Sequence, residues 1–297
     1  MLNDIEQRAR QLQIACHRPV ASMLAGEYRS VFKGIGIEFD QIREYAPGDD
    51  VRLIDWKVTA RTGHAYIKQY VEERQLTLWL LLDASASFAI GGGESAKAAA
   101  AAEICALLGF SAVANHDRVG LALFTDRLEQ VERPQRGSGH MLRLLESLLS
   151  FTPPPRRTDL GSALDEFHAH SRQHEIVFLI SDFQSPPFDL PLRRARLRQS
   201  LHAVCIEHRL ERALPRVGLL RLQDSETGET HVVDTASASV RKNFAAAVAR
   251  RVATRDEAFT AADVDLLELT TGDDSAEALS EFLEMLRWKG GARNASA

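Results

Sequence analysis

Residues 76–87, which read LTLWLLLDASAS, predict both a fold class and a candidate site. Residues 76–83 form a nearly continuous apolar run, which is typical of a strand that helices cover on both faces of a sheet. The run ends at Asp83, and Ser85 and Ser87 follow at alternate positions. Because alternate residues after a strand project to one side, these three side chains can direct their oxygen atoms at one place.

Strand-like and helix-like segments alternate from this stretch to the C-terminal region. The segments that predict strands are 118–124, 127–133 (an antiparallel edge), 175–182, 201–207 and 264–269, with a hairpin over 217–234 that turns at 226–228. The segments that predict helices are 95–114, 140–149, 158–172, 192–200, 236–256 and 274–288. The alternation predicts an α/β fold with a doubly wound, mostly parallel sheet, whose ligands bind outside the carboxyl ends of the strands.

The first 75 residues predict a smaller, partly β segment. Residues 1–15 carry apolar side chains at intervals of three and four, which indicates a short helix. Residues 26–75 mix short β stretches with turn signals such as Pro47-Gly48. We therefore expect three parts, namely an N-terminal helix and β-rich segment over 1–75, an α/β domain over 76–290 and a frayed tail over 291–297.

The composition is that of an ordinary globular protein. The 297 residues are 45% hydrophobic, and 41 acidic against 36 basic residues argue against a dedicated nucleic-acid binder. Cys16, Cys105 and Cys205 lie far apart, which fits reduced thiols better than a disulfide framework or a zinc site. The N-terminus lacks the apolar region of a signal peptide, and no pure apolar run reaches the roughly 18–20 residues of a membrane span. We expect a cytoplasmic protein without a membrane span.

Two further residues extend the candidate site. Thr158 stands at a predicted helix start, and Asp182 ends a predicted strand. In a doubly wound sheet both would reach the carboxyl edge where Asp83 lies. A ligand set of oxygen atoms suits a hard cation such as Mg²⁺ (or Mn²⁺). The opposing interpretation is that these residues cap helices, with Thr158 or Asp159 as an N-cap.

The balance of ligands suggests what such an ion would do. If the hydroxyls of Ser85, Ser87 and Thr158 bind directly, while Asp83 and Asp182 hold bound water, no anion of the protein touches the metal. The ion then attracts a carboxylate from outside. The site would recognise acidic side chains on a partner.

Residues 76–288 resemble a von Willebrand factor A domain, and Asp83, Ser85, Ser87, Thr158 and Asp182 match its metal-ion-dependent adhesion site. The segments G-I-G-I-E-F (34–39), R-E-Y-x-P-G-D-D (43–50), R-x-I-D-W-K (52–57) and A-R-T-G (60–63) resemble the signature of a bacterial family, number fifty-eight among the domains of unknown function. This resemblance implies a chaperone-like adaptor in protein maturation or cofactor insertion. The expected partners are a MoxR-like AAA+ ATPase and an acidic-residue-bearing client. Residues 34–63 could form a recognition surface or a salt-bridged structural staple.

Other signals are weaker. Residues 91–97 lack the spacing of a phosphate-binding loop and favour a turn with Ser95 as a helix cap. The histidine cluster of His168, His170 and His174 lacks a zinc motif. Two groups of arginines are expected to face solvent, although they could steer acidic partners. They are Arg156 and Arg157 before the helix at 158, and Arg193, Arg194, Arg196 and Arg198. No nucleophile–base pair stands out in the sequence, which disfavours an enzymatic function. The alternatives are a metal-dependent phosphoester hydrolase and a scaffold without bound metal.

Overall fold

The fold is described from a computed structural model, which covers residues 2–32, 41–46, 54, 56–69, 75–88, 95–152, 156–223 and 229–295. The strands within these residues are β1 (Gln41–Glu44), β2 (Tyr66–Gln69), β3 (Thr77–Asp83), β4 (Arg118–Phe124), β5 (Leu128–Gln135), β6 (Ile176–Ser181), β7 (Ser200–Glu207), β8 (Leu219–Gln223), β9 (Thr230–Asp234) and β10 (Asp265–Thr270). The helices are α1 (Leu2–Pro19), α2 (Ala25–Phe32), α3 (Trp56–Thr62), α4 (Ala96–Ala114), α5 (Ser138–Ser150), α6 (Leu160–Phe167), α7 (Asp189–Arg198), α8 (Arg209–Arg212), α9 (Ala238–Ala262) and α10 (Ser275–Ala295).

A six-stranded sheet in the order β10-β7-β6-β3-β4-β5 organises the fold. Its neighbouring strands pair in parallel, except that β5 pairs with β4 in the antiparallel direction. Both the mostly parallel sheet and its antiparallel edge at β5 are therefore confirmed. Since β3 lies between β4 and β6, the carboxyl ends of these three strands meet at the centre of one sheet edge.

Strand β3 supplies side chains to both faces of the sheet because successive residues of a strand alternate in direction. Leu78, Leu80 and Leu82 pack into a core that α1, α2, α4, α5 and α10 also line. Trp79 and Leu81 pack into a second core with residues of α6, α7 and α9. Helices thus cover the sheet on both sides, as the apolar run predicts, and the doubly wound α/β class is confirmed.

The N-terminal region is more helical than its sequence pattern predicts. Instead of a helix over 1–15, α1 extends to Pro19, and a π-helical turn at Val20–Leu24 connects it to α2. The expected β texture is therefore wrong for residues 26–32, and also for residues 56–62, which form α3. Strands β1 and β2 do form an antiparallel pair further along. The expected division at residue 75 stays a prediction, but Ala9, Cys16 and Tyr28 pack into the same core as the sheet.

Most other segments form the expected elements with shifted ends. Strands β8 and β9 pair in the antiparallel direction and form the expected hairpin, while its predicted turn at 226–228 lies outside the described residues. The helix expected over 158–172 ends at Phe167. Helix α10 runs to Ala295 and therefore includes most of the segment expected as a frayed tail.

Helix α4 is the one described helix long and apolar enough, by length and composition, to cross a membrane. In its most apolar 18-residue window, 67% of the residues are buried inside the protein. Ile104, Leu107 and Leu108 are among the side chains that it packs against the sheet. Its apolar composition is therefore that of a core helix.

Candidate metal centre

Asp83 ends β3 and is fully buried at the carboxyl edge of the sheet. Its Oδ1 accepts a hydrogen bond from the backbone N–H of Ser85 at 3.0 Å, and its Oδ2 accepts one from the Ser181 hydroxyl at 2.6 Å. Ser181 is the last residue of β6, so this contact joins the ends of two neighbouring strands. The carboxylate is held in one orientation by both bonds.

The hydroxyls of Ser85 and Ser87 converge in the loop that follows β3. Their Oγ atoms lie 3.0 Å apart, and either can donate to the other. The loop is anchored by the backbone N–H of Ala84, which donates to the Phe124 carbonyl at 2.8 Å. The alternate spacing of the two serines therefore brings both hydroxyls together, as the sequence predicts.

Asp182 follows β6 directly and is almost fully buried. Its Oδ1 accepts a hydrogen bond from the backbone N–H of Gln184 at 3.0 Å, and its Oδ2 accepts one from the Lys97 ammonium at 2.8 Å. Burial, and next the nearby carboxylate of Asp182, raise the pKa of Asp83 to about 6, against hydrogen bonds from serines that lower it. The two aspartates are thus close enough to repel each other when both are ionised.

Thr158 precedes α6 and is 3% exposed. The N-cap of α6 is Asp159, whose side chain accepts from the backbone N–H of Ser162 at 3.0 Å. The Oγ1 of Thr158 is buried and has no hydrogen-bond partner among the described residues. Capping therefore does not account for Thr158, although it was one of the two predicted caps.

The segment that carries Thr158 is fixed to the ends of two strands. The backbone N–H of Asp159 donates to the carbonyl of Thr125, just after β4, at 3.0 Å. The backbone N–H of Leu160 donates to the hydroxyl of Ser185, just after β6, at 3.0 Å. Thr158 consequently lies at the same sheet edge as the loops that follow β3 and β6.

The chemistry of these five side chains fits a hard divalent cation. Three hydroxyls and two carboxylates offer oxygen ligands alone, which is what Mg²⁺ and Mn²⁺ prefer. A buried hydroxyl without a partner is the kind of atom that a bound ligand would satisfy. Within the described residues, no group of three or more His, Cys, Asp or Glu side chains is arranged to hold a metal ion. An ion at this edge would therefore depend on the hydroxyls as well as the carboxylates.

A cavity of about 380 Å³ opens beside this edge. The residues that line it include Thr158, Gln184, Arg157 and Arg251. One guanidinium nitrogen of Arg251 donates to Oε1 of Gln184 at 3.1 Å. The cavity therefore lies between Thr158 and two arginines, of which Arg251 also lies 3.7 Å from Oε1 of Glu207.

Several other arginines singled out in the sequence pair with acidic side chains. Arg194 donates to Asp165 at 2.7 Å, and the side chains of both residues are about half exposed. Arg196 lies 3.2 Å from Asp263. These pairs agree with the default interpretation of a solvated helix face.

The family model described as "Protein of unknown function DUF58" matches residues 41–254. The chain belongs to this family. An uncharacterized protein of Mycobacterium tuberculosis is 30% identical to this DUF58 chain over 282 residues, covering 94% of the chain and 88% of the relative. An uncharacterized protein of Mycobacterium bovis matches to the same extent, with 30% identity over 282 residues.

Solved structures also resemble this DUF58 protein. One is BatB from Bacteroides thetaiotaomicron, with a TM-score of 0.46 and 14% identity, covering 71% of this chain and 98% of that chain. Another is an aerotolerance-related membrane protein from Bacteroides fragilis, with a TM-score of 0.45 and 13% identity, covering 72% of this chain and 99% of that chain.

Sequence reasoning missed two residues that contact the candidate site of this DUF58 protein. Ser181 precedes Asp182 and bonds to Asp83, and Lys97 bonds to Asp182. In the sequence, Lys97 stands out only as the lysine of the incomplete phosphate-binding loop over 91–97. A signal was present, because a single lysine lies at the start of the otherwise apolar helix A-K-A-A-A-A-A. Ser95 caps that helix as predicted, while residues 91–94 lie outside the described part of the chain.

Proposed function

We propose that this protein is a non-enzymatic, metal-dependent protein-interaction module. In this proposal, Mg²⁺ (or Mn²⁺) at the carboxyl edge of the sheet engages an acidic side chain of a partner. The observation that carries the proposal is the buried hydroxyl of Thr158, which has no partner in the described part of the chain. Leaving such a group unpaired costs stability, and a ligand that uses it removes the cost.

The roles of the five residues follow from their chemistry. Ser85, Ser87 and Thr158 would hold the ion through neutral hydroxyls, and Asp83 and Asp182 would orient its water ligands. When bound, the ion supplies a concentrated positive charge that attracts a carboxylate. The protein supplies the orientation, since hydrogen bonds fix both aspartates in buried positions.

Two arginines beside the site support an acidic partner, although Glu207 offsets part of the charge of Arg251 at 3.7 Å. Arg157 and Arg251 line the same cavity as Thr158. Positive side chains around a concave site attract anions and speed their arrival. A client carboxylate that approaches through this cavity would meet favourable charge before it reaches the ion.

The identity of the partner follows from the family resemblance. We propose a MoxR-like AAA+ ATPase as the working partner and an acidic-residue-bearing protein as the client, in chaperone-like maturation or cofactor insertion. We place the module in a reducing compartment such as the cytoplasm. The thiols of Cys16, Cys105 and Cys205 are all free, which supports this placement because disulfides are rare in a reducing compartment.

A pull-down experiment tests the metal-dependent role. The full chain would be immobilised and offered a MoxR-like AAA+ ATPase from the same organism, in Mg²⁺ and in a chelator. Asp83→Asn keeps the size of the side chain but removes its charge, and we expect it to reduce capture as strongly as the chelator does. Asp126→Asn is the matched control, because Asp126 follows the neighbouring strand and its side chain is 46% exposed. Capture that ignores both the chelator and Asp83→Asn would refute the proposed role of the site.

The scaffold without metal is a second candidate function, and one observation favours it. The Lys97 ammonium already neutralises part of the charge of Asp182. If this pair replaces an ion, Mn²⁺ titrated into the chelator-treated chain will give no binding heat and no gain in thermal stability. Saturable binding of Mn²⁺ that Asp83→Asn weakens would exclude the scaffold.

A further inference from the structure

Lys97 contacts the candidate site and also connects it to a second carboxylate. Its side chain lies in the first turn of α4 and is 6% exposed. The ammonium nitrogen lies 2.8 Å from Oδ2 of Asp182 and 2.5 Å from Oε1 of Glu211, in α8. The Phe88 ring centre lies 5.8 Å away. The ammonium is therefore enclosed between one carboxylate of the site and one carboxylate outside it.

The charge of Lys97 is stabilised where it stands. Burial acts to lower the pKa of Lys97, but the carboxylates of Asp182 and then Glu211 outweigh burial, and the pKa is raised. The site therefore contains a fixed positive charge beside its two aspartates. A buried ammonium is retained at acceptable cost when paired in this way.

We propose that Lys97 is a built-in counter-cation of Asp182 that keeps the affinity of the site for a divalent cation low. The inference rests on the proposed function, because it concerns the same five residues. An ion bound here must share the negative charge of Asp182 with the Lys97 ammonium. The positive ammonium also repels the ion, and such repulsion is strong in a buried site. A client carboxylate supplies a negative charge in place of the charge of Asp182 that Lys97 neutralises. The metal is therefore held firmly when the client is present, and weakly when it is absent.

Glu211 acts on the same pair in the opposite direction. Its side chain is 28% exposed, and it draws the ammonium partly away from Asp182. Its other oxygen accepts from the backbone N–H of His208 at 2.9 Å, a capping-box bond that holds the Glu211 side chain in place at the start of α8. Without the charge of Glu211, the Lys97 ammonium pairs with Asp182 alone. The substitution also removes one negative charge near the metal site. Metal affinity should then fall.

The test measures the affinity of the full, chelator-treated chain for Mn²⁺ alone by titration calorimetry. We expect Lys97→Met to bind Mn²⁺ more tightly than the parent, on the order of tenfold, because a full charge next to the ligand set is removed. Glu211→Gln should bind more weakly, by a few-fold. If Lys97 only holds Asp182 in place, Lys97→Met should instead bind Mn²⁺ more weakly than the parent, because Asp182 loses its support.

The control is Lys289→Met. Lys289 also pairs with an aspartate, at 2.6 Å from Asp265, but its side chain is 53% exposed and Asp265 begins β10 at the opposite edge of the sheet. This variant should match the parent. If the parent binds Mn²⁺ and Lys97→Met binds it equally or less tightly, the inference is overturned while the proposed function stands.

Absence of binding in the parent and in Lys97→Met overturns both proposals. Binding in Lys97→Met alone supports the inference, because it shows that the ammonium opposes the ion, and it gives the parent the scaffold role instead of the proposed function. If Lys97→Met does not fold, Glu211→Gln decides the question. Unchanged or tighter Mn²⁺ binding by Glu211→Gln then contradicts the role assigned to Lys97.

Discussion

Replacing Thr158 with valine separates a hydroxyl kept for a ligand from one that stabilises the fold. Valine retains the branched shape but lacks the oxygen. Because the Oγ1 of Thr158 is buried and has no partner within the described residues, the metal-free protein carries an unpaired polar group. Such a group costs about 1–3 kcal/mol. We expect Thr158→Val to leave the free energy of unfolding in chelator unchanged or to raise it by about 1 kcal/mol.

Thr235 provides the matched comparison. It is also fully buried, but its hydroxyl donates to the Gly218 carbonyl at 2.7 Å and accepts from the backbone N–H of Val217 at 3.1 Å. Thr235→Val breaks both hydrogen bonds and leaves the backbone N–H of Val217 without its partner, while the Gly218 carbonyl still accepts from the backbone N–H of residue 235 at 2.8 Å. We expect it to lower the free energy of unfolding by about 1–3 kcal/mol.

Urea denaturation measures these differences for the parent and the two variants, in chelator and in Mn²⁺. If the dependence of the free energy of unfolding on urea is the same for all three, the shift of the midpoint urea concentration gives the change in stability. A ligand that binds the folded state raises its stability by an amount set by its affinity. The stabilisation by Mn²⁺ should therefore be smaller for Thr158→Val than for the parent, and unchanged for Thr235→Val. If Thr158→Val destabilises the chelator-treated protein as much as Thr235→Val does, the hydroxyl of Thr158 has a structural role and the reasoning fails.

Three further predictions concern the fold around the site. Burial lowers the pKa of His202 to about 4, so the folded state disfavours the charged ring. The contribution of this residue to the free energy of unfolding should be complete above about pH 6.5 and should fall by up to about 3 kcal/mol towards pH 4. In urea denaturation, His202→Leu should show a flatter dependence of stability on pH than the parent. A Cβ at Gly120 would lie 2.8 Å from the ring of Trp79, whereas one at Gly139 meets nothing within 4 Å. Gly120→Ala should therefore cost about 1–3 kcal/mol in thermal denaturation, and Gly139→Ala should not lower the melting temperature. Asp159→Ala should cost about 1 kcal/mol by removing the cap of α6, and Asp159→Ser should restore most of it.

The sheet and its carboxyl edge were predictable because their signals are local. The apolar run that ends at Asp83 predicts a strand buried on both faces, and residues 118–124 and 175–182 show the same pattern. Once the strands are parallel, Asp83 and Asp182 must reach the same edge. Their spacing along the chain carries no such information without the topology.

The parts that sequence reasoning missed depend on contacts that are distant in sequence. Lys97 is buried because a carboxylate 85 positions away compensates its charge. Whether Thr158 or Asp159 caps α6 depends on backbone geometry that the sequence leaves open. The helix predicted over 1–15 extends to Pro19, and the chain continues through a π-helical turn into α2, where Val20 and Leu24 pack into the core.

The most direct test of the account is a crystal soaked in MnCl₂ and measured for anomalous scattering of manganese. We expect one strong peak enclosed by Ser85, Ser87 and Thr158, with Asp83 and Asp182 around it, and loss of that peak in Asp83→Asn crystals. A well-ordered carboxyl edge without a peak at saturating Mn²⁺, or a peak at a different place alone, would contradict the central claim.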